Sequence, residues 1–137
     1  MPIRTALRVR LPNRPGELAR VARQLANAGV NLEAVAGVAS ANEGTVEILP
    51  DEADRAAQAL QGAGIAFDRA DVLVLPASER FINTPGSLAQ AAEALAQAGI
   101  NIESIYIVPG GPTGVQAALG SDDPQRAEQI LASLVSA

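Results

Sequence analysis

Three observations on the 137-residue sequence predict an α+β fold of two tandem ferredoxin-like βαββαβ units, each an antiparallel sheet with helices on one face. First, Asn13–Glu33 (NRPGELARVARQLANAGVNLE) recurs as Asn83–Glu103 (NTPGSLAQAAEALAQAGINIE), with twelve of twenty-one positions identical. Identity that dense over an ungapped stretch marks an internal duplication. Second, apolar residues switch between a spacing of two and helical spacing, the signatures of half-buried strands and amphipathic helices. Third, glycine, proline and asparagine interrupt the pattern at equivalent places in both halves.

In the first repeat, Ile3, Thr5, Leu7, Val9 and Leu11 alternate with Arg4, Ala6, Arg8 and Arg10, a strand with one buried face. Pro15-Gly16 opens a helix, proline being tolerated at the first helical position. Leu18, Val21, Ala22 and Leu25 share one side of that helix, and Gly29 ends it. Val30–Ala39 and Thr45–Leu49 read as an antiparallel pair around a turn at Asn42–Gly44. A second helix over Asp51–Ala63 turns Ala53, Ala57 and Leu60 inward, and Phe67–Leu75 supplies a fourth strand. The resulting order is the split βαβ arrangement.

The second repeat follows the same order. Its first strand falls in Val72–Asn83, where Pro76–Ser78 interrupts the pattern. Leu88, Ala91, Ala92 and Leu95 mark the next helix, and Ile100–Val108 with Val115–Leu119 mark a strand pair. Ala127, Ile130, Leu131, Leu134 and Val135 mark the last helix, and the sequence reaches Ala137 without a fourth strand. The units are therefore 1–70 and 71–137, the latter with its last strand missing or supplied from elsewhere. An open sheet edge invites pairing. Ile105 and Ile107 lie on the strand face opposite Tyr106 and Val108, which implies cover on both faces. Close packing of the repeats and a homodimer are the expectation.

Composition narrows the chemistry. The chain has no Cys, His or Trp, and its ten basic residues are all Arg. Disulfides, thiolate nucleophiles, imidazole bases, lysine Schiff bases and thiolate or imidazole zinc sites are excluded. No cofactor and no metal are expected, and binding is favoured over catalysis. A net charge of −5 argues against nucleic acid or an anionic membrane as partner. Residues 1–23 carry six Arg and one Glu, which reads as a strand and helix with solvated arginines. No apolar run approaches membrane-spanning length and no signal-peptide pattern is present, so a cytoplasmic protein is expected.

Four of the six asparagines occupy two repeated positions: Asn13 and Asn83 before Pro-Gly, and Asn31 and Asn101 after the helix-stopping glycine. A helix N-terminus attracts carboxylates and phosphates. Gly16 or Gly86 would remove a Cβ from the path of such a ligand. Asparagine both donates and accepts, so it suits an α-carboxylate or an α-amino group. A plainer reading stands beside this one: Pro-Gly turns the chain, and asparagine caps it or takes unusual backbone angles. The two asparagine positions of one unit lie at opposite ends of a helix, so they converge only if another unit contributes.

NRPGEL with LANAGVNLEAV, and NTPGSL with LAQAGINIESI, resemble the ACT domain, a small regulatory module that binds amino acids. The first repeat is similar to the serine-binding ACT domain of bacterial phosphoglycerate dehydrogenase. The resemblance covers nearly the whole chain as two tandem copies. It implies units paired side by side, with an effector held at the interface. The site it implies comprises Asn13, Arg14, Pro15, Gly16, Glu17 and Leu18, with Asn31 facing them from another unit. The second set is Asn83, Thr84, Pro85, Gly86, Ser87 and Leu88, with Asn101. Arg14 and Glu17 become Thr84 and Ser87, so the two sites differ in charge. The histidine often found before this motif in the dehydrogenase is absent, which weakens an expectation of serine.

The leading expectation is thus an amino-acid-binding regulatory module, not an enzyme, acting through a separate partner that could be a regulated enzyme. The alternative is a non-liganded oligomerisation module, in which Arg14 and Glu17 close the site by pairing. Asp51 with Glu52, and Asp122 with Asp123, offer carboxylates for an enzyme, but acids at helix starts have a simpler cause in the helix dipole. RNA binding on the sheet needs exposed aromatics and positive charge. Phe67, Phe81 and Tyr106 do not provide them.

Overall fold

The computed structural model describes residues 1–76, 84–111 and 114–136. Its elements run β1 (Ile3–Pro12), α1 (Glu17–Asn27), β2 (Leu32–Ser40), β3 (Glu43–Pro50), α2 (Ala53–Gly62) and β4 (Phe67–Pro76). There follow α3 (Ser87–Gln97), β5 (Ile102–Pro109), β6 (Val115–Ser121) and α4 (Pro124–Ser136). The chain divides into two compact units, Thr5–Ala70 and Met1–Arg4 with Asp71–Ala137. Both have the ferredoxin-like α+β layout expected from the repeat.

In the Thr5–Ala70 unit the strand order is β2-β3-β1-β4, with β3 antiparallel to both β1 and β2. Leu7 pairs with Ile48 and Val9 with Val46, so alternate apolar residues of two strands share a face. Val21 and Leu25 of α1, with Ala56, Ala57 and Leu60 of α2, join them in one buried cluster. Ala56 joins the inward stripe that sequence spacing assigned to Ala53, Ala57 and Leu60, and Ala53 is only half-buried. Helix α1 ends where expected and for the expected reason. Gly29 takes φ +73°, its N–H donates to Ala26 C=O at 3.0 Å, and Val30 N–H donates to Leu25 C=O at 3.0 Å. This pair of bonds is the Schellman closure, and it brings Val30 and Leu25 into the same core.

The start of α1 differs from the expectation. The helix begins at Glu17, and Gly16 stands before it as the cap with φ +89°, in the left-handed region. Pro15 therefore lies outside the helix and not at its first position. Gly86 does the same before α3, with φ +87°.

In the second unit β6 runs antiparallel to β4 and to β5. Leu73, Leu75, Ala91, Leu95, Ala117, Leu119, Ala127 and Leu131 form its core. Met1 and Ile3 pack against that core, and Val74 N–H donates to Pro2 C=O at 2.9 Å. The N-terminal end of the chain thus stands beside β4, in the place left open after α4. Local patterning cannot reveal this, because the partners lie about seventy residues apart in sequence. Of the stretch 72–83 proposed for the first strand, residues 77–83 lie outside the described residues, as does the side chain of Val135.

Ile105 pairs with Leu119 and Ile107 with Ala117, which puts both isoleucines on the core face of the sheet. They nevertheless remain 40% and 51% exposed, because β5 is an edge strand. Val108 on the other face is buried. The expected cover over Ile105 and Ile107 is not supplied by the described residues.

Ile3→Ala tests the role of the N-terminal segment. Ile3 is partly buried, so its truncation is expected to cost about 1–3 kcal/mol. Hydrogen exchange should show lost amide protection concentrated in Asp71–Ala137. Loss confined to Thr5–Ala70 would contradict the assignment.

Candidate functional site

The loop between β1 and α1 is held in place by Asn13. Its backbone N–H donates to Asn42 C=O at 2.9 Å, and its side-chain Nδ2 donates to Ala41 C=O at 2.9 Å. Ala41 adopts φ +54°, so the β2–β3 turn presents both carbonyls to one asparagine. One N–H of the Asn13 amide is therefore used by the fold. Gly16 is also conformational: a Cβ built there would meet nothing within 4 Å, and its positive φ is what demands glycine.

Glu17 is the buried charge at this site, 9% exposed at the start of α1. Its Oε2 accepts from Arg14 Nε at 2.8 Å and its Oε1 from Arg20 Nη2 at 3.2 Å. The Arg14 hydrogen bond holds the carboxyl below the usual glutamate range; burial opposes this, and Arg20 adds to the lowering. A carboxylate in the first helical turn is further favoured by the helix dipole. The Arg14–Glu17 pairing foreseen as a way to close the site does form, but it leaves the space beside it open.

That space is a groove of about 350 Å³ between the β1–α1 loop, the first turn of α1 and the strands β2 and β3. Leu11, Leu18, Val35 and Val46 give it an apolar lining, and Arg14 and Glu17 are the charged residues that line it. Gly37 forms part of the floor, where a Cβ would meet Val46 Cγ2 at 3.2 Å. Leu18 is 53% exposed and Val38 75% exposed. Such a volume falls within the range of small-molecule sites. The sequence does not single out the floor residues Val35, Gly37 and Val46. The signal was nonetheless present, since Gly37 aligns with Ile107 at the seventy-residue offset of the repeat.

Asn31 stands elsewhere. Its N–H donates to Asp51 Oδ1 at 3.0 Å, and its C=O accepts from Asp51 N–H at 3.0 Å. Asn101 and Asp122 repeat both bonds, at 3.0 and 3.2 Å. These acids thus clasp the start of a strand. In α4 the cap is Asp123, whose Oδ1 accepts from Arg126 N–H at 3.2 Å ahead of Pro124. Asn13 and Asn31 lie near opposite ends of β2, whose nine residues span about 30 Å. Within Thr5–Ala70 they do not converge.

In the second repeat Asn83 lies outside the described residues. Thr84, Pro85 and Gly86 are exposed before α3, and Leu88 is 46% exposed. Ser87 is buried, and its Oγ donates to Thr84 C=O at 2.8 Å while accepting from Thr84 N–H at 3.4 Å. A neutral, self-contained pair therefore replaces the Arg14–Glu17–Arg20 cluster. Asn101 is exposed at the start of β5.

A second, polar groove of about 750 Å³ lies along α2 and the start of β4. Arg10 pairs there with Asp68, and Arg69 with Asp54 at 3.0 Å. All four side chains are largely exposed, and exposed pairs hold little energy. Among the described residues no group of three or more carboxylates is placed to hold a metal ion. No described helix is long and apolar enough to cross a membrane.

The family of ACT domain pairs matches residues 1–135 of the chain. No curated protein matches it. Among solved structures, a protein of Bacteroides thetaiotaomicron is similar at 25% identity and a TM-score of 0.75, over 96% of this chain and 88% of its own. The regulatory subunit of aspartate kinase from Thermus thermophilus, in a ligand-free form, matches at 17% identity and 0.69, over 98% and 97%. That from Thermus flavus matches at 17% and 0.64 over the same shares. These last two share the fold.

Glu17 gives the site a pH signature. Its folded pKa is depressed, so its contribution is present above the ordinary glutamate range and is lost as pH falls through the folded value. The stability difference between wild type and Glu17→Gln is expected to be full at neutral pH and to vanish in more acidic solution. A difference that grows on acidification would contradict this sign.

Proposed function

The chain belongs to the ACT domain pair family, and on that premise we propose that it is a regulatory module that binds an amino acid in the groove beside Asn13–Leu18. The ACT domain is a regulatory unit and not a catalytic one, and the chain contains no His, Cys or Lys to suggest otherwise. The observation that carries the reading is the open groove of about 350 Å³ at the first turn of α1. An amino acid is a zwitterion with one variable arm, and the groove has matching parts. Arg14 uses Nε on Glu17, and its side chain is 68% exposed, so its outer nitrogens are available to a carboxylate. The first turn of α1 adds a positive helix end, and the floor receives a side chain. Asn31 reaches this groove in the proposal from a neighbouring unit, in a homodimer of this chain.

Regulation in this reading passes to a separate protein, in the cytoplasm. The existence of aspartate kinase regulatory subunits with the same fold supports that arrangement. The alternative, an oligomerisation module without ligand, is favoured by the exposure of Leu18, Val38, Ile105 and Ile107. Exposed apolar side chains at sheet edges are suited to association.

Calorimetric titration with the common amino acids separates the two. At least one is expected to bind below millimolar concentration, with Arg14→Ala weakening it about 10- to 100-fold, as for a hydrogen bond to a charged group. A two-chain species that binds none of them would favour the oligomerisation reading.

A further inference from the structure

We propose that the two repeats are unequal, that only the first carries a ligand groove, and that this groove selects an amino acid with an uncharged aliphatic side chain. The inference rests on the reading of the groove as the amino-acid site and goes on to name the ligand's class and the repeat that holds it.

The inequality lies in one cross-strand pair. Gly37 of β2 stands opposite Val46 of β3, and at the equivalent place Ile107 of β5 stands opposite Ala117 of β6. Both pairs lie on the core face, and both have one large and one small member. In the first repeat the large residue is on the inner strand, where it is 8% exposed, and the edge strand is bare backbone. In the second the small residue is inside, and the edge strand raises a four-carbon side chain, 51% exposed, on the same face. Moving the large residue from the inner strand to the edge strand changes where the surface is hollow. The first repeat is hollow at its edge, beside the first turn of the helix, and the second is raised there.

The charges follow the hollow. Beside Gly37 the first repeat sets Arg14 and Glu17, and the second has Thr84 and Ser87, already bonded to each other. Among the described residues, a carboxylate therefore finds a guanidinium at this place in the first repeat and a neutral Thr84–Ser87 pair in the second.

Selectivity comes from what lines the hollow. Leu11, Leu18, Val35 and Val46 offer methyl groups and no hydrogen-bond partner. A hydroxyl or amide pressed against them would lose water without compensation. A cationic side chain needs an anion, and both oxygens of Glu17 are already held by Arg14 and Arg20. An anionic side chain would compete with the ligand's own carboxylate for Arg14. Branched aliphatic side chains satisfy all three conditions.

The test is calorimetric titration of the full chain with L-valine, L-leucine, L-isoleucine, L-serine, L-aspartate and L-lysine. One of the three aliphatic amino acids should bind at least tenfold tighter than the polar three, a ratio within reach of apolar pocket contacts. The stoichiometry should be one per chain. Gly37→Ile with Val46→Ala copies the pair of the second repeat, where the larger member stands half-exposed on the edge strand, so it should fold with unchanged amide protection and lose binding at least tenfold. Tighter binding of serine, aspartate or lysine would overturn the selectivity while leaving the regulatory reading in place. Two sites per chain, or full binding by the folded double variant, would overturn the assignment to the first repeat. Binding of no amino acid would remove the regulatory reading, and this inference with it.

Discussion

The candidate site depends on two hydrogen bonds made by Asn13. They tie the end of β1 to the turn between β2 and β3, and so set the distance between the first turn of α1 and the sheet edge. With that distance fixed, Gly16 in its left-handed conformation aims the helix, Glu17 falls inward, and a hollow is left above Gly37. The asparagine pattern thus has a structural origin at this position. One N–H of its amide is held by Ala41 C=O, and the groove beside it is lined by its neighbours Arg14 and Leu18 and by the strands opposite.

Much of the fold was legible because each element carries a local signal. The alternation of Leu7, Val9 and Leu11, the stripe of Val21 and Leu25, and the stop at Gly29 all correspond to packing or to a cap that short-range physics dictates. The helix starts two residues later than the sequence predicts, since Pro-Gly serves equally as a first turn and as a left-handed cap. The place beside β4 occupied by the N-terminal segment was not legible, because a strand's alternation says which face is buried and not which strand lies beside it. At the site, the loop from Asn13 to Leu18 could be read from its repetition. The floor shows in the sequence only as Gly37 standing against Ile107 across the repeat, a contrast that carries no chemistry until its neighbour, Val46, is known.

The uneven charge of the chain also has a local explanation. Of the six arginines in residues 1–23, Arg8 pairs with Glu47, Arg10 with Asp68, and Arg14 and Arg20 with Glu17. What reads in the sequence as a solvated basic segment is largely matched by acids from strands and helices that fold against it. Glu47 and Glu17 are buried, and each is held by arginine, as a carboxylate removed from water requires. The arginine excess therefore serves the first unit internally, and Arg14 alone of these four lines the apolar groove.

In the proposed function one hollow, at the first repeat, holds a small amino acid. A crystal structure of the full chain grown with L-leucine addresses it most directly. Ligand density is expected above Gly37 with its carboxylate at Arg14 and its side chain on Val35 and Val46, and none at Ile107. Density at the second repeat or in the polar groove beside α2, with the hollow at Gly37 empty, would contradict it.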